Sequence, residues 1–225
     1  MDSSQSRYRT VIEAVSLVLG PALMSIGDLM HPAESWDTAT QIAIIADASS
    51  AWRWHAAHLL LFIGLLLFVP GLLALTRWVE TRRPATGFAA RVLVVISIGA
   101  LSAVFTFEVL LGLISHGDRA TALTVLTTFQ SQVMPALMPG LLAFFVGTGL
   151  AVATLASTAG PFRWPAIALG LGAALILGEI ILAEVLLSQI GNILVFVAGI
   201  GFARLLIVDS VAKGARMPEP QSSAG

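Results

Sequence analysis

The sequence predicts an all-α polytopic membrane protein, a bundle of six transmembrane helices with both termini cytoplasmic. Three observations carry this. Of 225 residues 57% are apolar and only 11% charged, with a mean hydropathy of +0.90, whereas an ordinary globular domain carries roughly a quarter charged residues. At about 20 apolar residues per crossing, the chain has room for roughly six to seven spans and no second domain. The cations are also distributed lopsidedly once six spans are drawn.

The first span is expected at about 10–31. Arg7 and Arg9 precede an apolar run as in a secretory signal, but Gly20, Pro21, Ser25 and Asp28 interrupt it and no small-residue cleavage site follows, so it reads as a retained span. The loop of about 32–54 contains Gln41 to Asp47, QIAIIAD, too short to cross a bilayer and suited to lying in the interface, as a linker or as a lid. Further spans are expected at about 55–78, 87–116, 133–157, 164–188 and 191–209. The third is longer than a straight crossing needs, which implies tilt or projection beyond the membrane. Residues 121–132 are too polar for hydrocarbon and extend the fourth helix outward, with Pro135 and Pro139 kinking it. One domain thus covers residues 1–216, and the polar, Pro-bearing 217–225 reads as a disordered cytoplasmic tail.

Six spans place Arg7, Arg9, Arg77, Arg82, Arg83, Arg91, Arg163, Arg204, Lys213 and Arg216 on one side, and only Arg53 and Arg119 on the other. The positive-inside rule makes the first side cytoplasmic and the protein a multi-pass resident of the plasma (inner) membrane. Trp36, Trp52 and Trp54 then fall at the outer boundary, and Trp78 and Trp164 at the inner one, as interfacial anchors. Near the inner end of the first helix, Glu13 is expected to pair with Arg91 or Arg204. Twelve Lys and Arg against thirteen Asp and Glu leave no basic field for nucleic acid. The absence of cysteine excludes disulfides, thiolate metal sites and a cysteine nucleophile.

This topology gathers the polar groups at the outer side. Asp28 and His31 end the first helix, His55 and His58 begin the second, and His116 ends the third. Each of the first two pairs is spaced by three, which puts both side chains on one helix face about 5–6 Å apart. Five nitrogen and carboxylate groups could therefore hold a divalent metal, zinc above all. Glu108 lies eight residues below His116, about 12 Å along the axis, and an intramembrane carboxylate is a functional candidate by default. Glu179 and Glu184 on the expected fifth helix point about 140° apart, so only Glu184 is placed toward the cluster.

Three readings follow. The first is a metal-dependent, membrane-embedded hydrolase in which Glu108 or Glu184 serves as general base toward a lipid-like substrate from the outer leaflet. Ser25, Asp28 and His31 on one helix resemble the residue types with which the ceramidase and progestin-receptor-like membrane hydrolases build a zinc site. The resemblance implies zinc and a lipid substrate; the late H-x-x-x-H of that group is absent, and the histidine pair here is H-x-x-H in the second helix. The second is a b-type haem or quinone redox protein, with His58 and His116 or His31 as axial ligands and Arg53 and Arg119 pairing the propionates. The third is a proton-coupled small-solute transporter or a non-catalytic membrane protein; six spans are few for a monomeric transporter, so this reading calls for a homo-oligomer.

Overall fold

A computed structural model describes residues 3–32, 37–158, 160–182 and 185–214. Among them every element is helical: α1 (Ser3–Met30), α2 (Thr38–Ala46), α3 (Ala48–Glu80), α4 (Pro84–Gly117), α5 (Arg119–Thr128), α6 (Met134–Ser157), α7 (Arg163–Leu182) and α8 (Val185–Gly214). A π-helical turn, Phe129–Val133, joins α5 to α6, so Arg119–Ser157 forms one continuous span. This turn lies immediately before Pro135, which cannot donate the helical hydrogen bond to residue 131. Six helices are long and apolar enough to cross a membrane, and their outward faces carry large apolar side chains such as Leu59, Val95, Val146, Ile181 and Ile193. The chain is built as a multi-pass membrane protein.

Successive spans pack on one another, and α1 packs on α8, which closes the bundle into a ring in chain order. Near the end that holds Ser3 and Gly214, the terminal end of the described residues, Leu17, Phe68, Leu75, Val94, Leu155, Leu169 and Phe202 share one apolar core. At the opposite, histidine-bearing end α2 lies across α3, α4 and α5, and its Ile42 and Ile45 join Trp54, Leu111, Ala122 and Leu126 in a second core. Asp37, Asp47 and Asp118 cap α2, α3 and α5, each side chain accepting from backbone N–H groups of the first turn. The Thr40 and Thr121 hydroxyls, together with the backbone N–H groups, hold Asp37 and Asp118 below the usual aspartate range, and the Ser49 N–H and hydroxyl do the same for Asp47.

The prolines inside spans decide how α1 meets its neighbours. Pro70 interrupts the hydrogen-bond ladder of α3, and one residue later the Ser16 hydroxyl enters the gap. It accepts from Gly71 N–H at 2.9 Å and donates to the Leu67 carbonyl, so a side chain of α1 replaces a backbone bond of α3. Pro21 leaves the Leu17 carbonyl without its helical donor, and this oxygen faces Gly199 of α8, where a Cβ would stand 1.9 Å away. Gly20 lies against the Phe68 backbone, and Gly172 and Gly191 bring α7 and α8 together in the same way.

The terminal end carries the ion pairs. Glu13 accepts from Arg9 at 2.7 Å and from Arg77, and Arg91 pairs with Glu80 at 3.0 Å. The expected partners of Glu13, Arg91 and Arg204, are thus replaced by residues one turn away on α1 and at the facing end of α3. The turn between the fifth and sixth spans also differs from expectation. Ser188, Gln189, Gly191 and Asn192 belong to α8, and α7 ends at Leu182. Ser188 and Asn192 are buried, and Gln189, expected in the turn at 189–190, is a helical residue of α8. Glu184, Trp36 and the tail lie outside the described residues.

Candidate functional site: a facing histidine pair

At the histidine end three helices meet. Arg53 of α3 donates from Nε to the Met30 carbonyl at 3.1 Å and from Nη2 to the His31 carbonyl at 3.5 Å, closing the last turn of α1. This cap fixes where His31 stands relative to α3.

His31 and His58 are both buried. His31 Nδ1 lies 2.8 Å from the Pro32 carbonyl, and His58 Nδ1 lies 2.9 Å from the Trp54 carbonyl. A carbonyl only accepts, so each Nδ1 carries a hydrogen and each neutral ring keeps its lone pair on Nε2. The two Nε2 atoms face each other at 3.3 Å. A proton or another cation between them converts this opposition of lone pairs into an attraction. Burial pushes the His31 imidazole below the ordinary histidine range, opposed by its bond to Pro32 and by the nearby Asp28 carboxylate.

Trp54 walls the pair. Its ring centroid stands 4.2 Å from that of His58 and 5.0 Å from that of His31, and its indole N–H donates to the Glu108 carbonyl at 2.9 Å. The residue expected as an interfacial anchor is 2% exposed and links the site to α4. Trp52, by contrast, is exposed.

Asp28, one turn below His31, faces α8. Its two oxygens accept from the Ser188 hydroxyl at 3.2 Å and from the Asn192 amide at 3.3 Å. Ser188 and Asn192 are spaced by four on α8, both buried, and sequence reasoning missed them because it ended one span at 188 and began the next at 191, assigning them to different helices. The signal was a polar i, i+4 pair in an apolar run. The Asn192 amide oxygen is buried with no hydrogen-bond partner among the described residues.

The other two histidines form a second group. His55 Nδ1–H donates to the Ala51 carbonyl at 2.8 Å, and its Nε2 is buried against Gly112 of α4, where a Cβ would stand 2.8 Å from it. The exposed His116 donates from Nδ1 to the Gly112 carbonyl, with its ring centroid 5.5 Å from that of His55. The five expected ligands therefore do not converge on one point. Asp28 is turned to α8, His31 and His58 face each other, and His55 and His116 sit against α4. Among the described residues no three His, Asp or Glu side chains stand where they could hold one metal ion.

Ser25, expected beside Asp28 and His31, donates instead to the Pro21 carbonyl within α1 at 2.8 Å. Glu108 and Glu179 are half-buried on α4 and α7. Arg53 is committed to the end of α1, and Arg119 lies close enough to Asp47 to help lower its pKa.

The family of unknown function DUF6796 matches residues 4–168, and the chain belongs to it. No curated protein and no solved structure matches the chain. The matched stretch contains Asp28, His31, Trp54 and His58, whereas Ser188 and Asn192 lie beyond it.

Proposed function

We propose that this member of DUF6796 is a proton-coupled small-solute transporter of the plasma membrane, with its termini in the cytoplasm and its histidine end outside. The orientation is supported by the arginines: among the described residues Arg9, Arg77, Arg82, Arg83, Arg91, Arg163 and Arg204 belong to the terminal end, and only Arg53 and Arg119 to the other.

The observation that carries the reading is the 3.3 Å approach of His31 and His58 through Nε2. One proton shared between these atoms ties α1 to α3. Asp28 offsets the added positive charge, as an ion held in a low-dielectric interior requires, and Arg53 opposes it. Loss of the proton leaves two lone pairs in opposition. Because Asp28 is bonded to Ser188 and Asn192, the outer end of α1 then loosens from α3 around the pair while staying with α8. Arg53 of α3 is the other charged group at the junction. With His31 depressed by burial, the pair fills on the acid side of about 6.5, as suits an outward-facing site that loads protons from an acidic exterior.

A hydrolase with zinc on these histidines and Glu108 or Glu184 as base would need a third protein ligand. Axial haem ligation by His31 and His58 would need nitrogens about 4 Å apart, at about 2 Å from the metal on each side. A shared proton needs neither.

The test is a pH-dependent distance. The chain has no native cysteine, so spin labels go onto Leu29→Cys and Leu59→Cys alone, on the exposed faces of α1 and α3. Their separation in lipid nanodiscs is expected to lengthen between pH 5 and pH 8 in the native sequence and to stay fixed with His58→Gln. A distance independent of pH, or a change that survives His58→Gln, refutes the reading.

A further inference from the structure

The two Nε2 atoms have the spacing of two ligands on one tetrahedral metal ion. Metal–imidazole bonds of about 2.0–2.1 Å spanning the observed 3.3 Å enclose an angle of about 108° at the metal. Both Nδ1 atoms are already bound to carbonyls, which fixes the tautomer that presents Nε2 outward, the arrangement usual for a metal-ligating histidine. The two rings are held from three sides, by Trp54, by the Arg53 cap on the end of α1, and by the α3 backbone.

We infer that His31 and His58 form a two-nitrogen chelate for a divalent cation of borderline softness, zinc foremost, which competes with the shared proton for the two Nε2 atoms. Imidazole selects zinc, copper and nickel over magnesium and calcium, so the site discriminates against the abundant hard cations. Asp28 contributes negative charge while it remains bonded to Ser188 and Asn192. Water completes the coordination. The ion is a competitor of the proton and a clamp between α1 and α3, not a hydrolytic centre, because among the described residues no third His, Asp or Glu side chain stands where it could hold the ion with them. This inference shares the histidine pair with the transport reading but does not depend on proton-driven movement.

The experiment is zinc binding by the full chain, purified in detergent without an affinity tag of histidines and freed of metal by chelation. Calorimetric titration at pH 7.5 is expected to give one zinc per chain, and X-ray absorption at the zinc edge two imidazole ligands. His31→Gln and His58→Gln each abolish the site, whereas the double substitution His55→Gln/His116→Gln leaves it in place. Absence of zinc binding by the native sequence overturns the proposal, whatever the variants do, as does a site that survives His58→Gln or is lost with the His55/His116 pair. Zinc binding with a pH-independent α1–α3 distance refutes the transport reading alone. A pH-dependent distance without zinc binding refutes this proposal alone.

Discussion

Replacing Ser16 by alanine removes the one side chain that repairs α3 beside Pro70. The hydroxyl serves two backbone groups, the Gly71 N–H at 2.9 Å and the Leu67 carbonyl, in a residue that is 5% exposed. A buried polar group left unsatisfied costs about 1–3 kcal/mol. Two such groups, partly able to find each other once the hydroxyl is gone, set an expected loss of about 2 kcal/mol or more. The same reasoning predicts non-additivity. Pro70→Ala restores an N–H and lets α3 regularise, so Gly71 and Leu67 then bond directly and Ser16 becomes dispensable. The assay is a double-mutant cycle of unfolding free energies in mixed micelles, followed by far-ultraviolet circular dichroism. A coupling of about 1 kcal/mol or more between the two substitutions is expected. The reasoning is refuted if Ser16→Ala is as stable as the native chain, or if its cost is undiminished in the Pro70→Ala background.

Other outcomes follow from the same contacts. Gly199→Ala would set a Cβ 1.9 Å from the Leu17 carbonyl, with backbone on both sides, whereas Gly99 has nothing within 4 Å; the first should cost about 1–3 kcal/mol or more and lower the melting temperature, and the second should be harmless. Asp37, Asp47 and Asp118 have depressed pKa values, so their contribution to the caps is complete above the unfolded value of about 3.9 and is lost as pH falls through the lower folded values. Amide exchange in the first turns of α2, α3 and α5 should therefore accelerate below about pH 4 while the core at the terminal end stays protected. For the orientation, single cysteines at Thr40 and Thr121 should react with an impermeant maleimide on intact cells, and those at Arg83 and Ser210 only after lysis; the reverse pattern would invert the topology.

The six spans were legible because each is a long apolar run with charged or proline-bearing boundaries. The gathering of histidines at one end followed from span parity alone. What the sequence could not show was which groups face each other. Asp28 meets Ser188 and Asn192 across 160 and 164 residues, and a Ser-Gln-Ile-Gly-Asn stretch reads equally well as a turn until its partner is known. His55 and His58 share a helix face by spacing, yet a rotation of about 60° between them is enough to give one to α4 and the other to α1. Trp54 has the composition of an anchor and the environment of a core residue. Ser16 carried no signal at all, since its role is defined by a proline on another helix.

The histidine tautomers are the most direct test. Nitrogen NMR of protein labelled with 15N only at histidine, compared with His31→Gln and His58→Gln to assign the signals, reports which ring nitrogens carry hydrogen. At neutral pH both rings are expected as Nδ1–H tautomers, and on acidification the pair should take up one proton shared between the two Nε2 atoms. Neutral rings with hydrogen on Nε2, or two independent single-proton titrations, would contradict the facing pair and the function built on it.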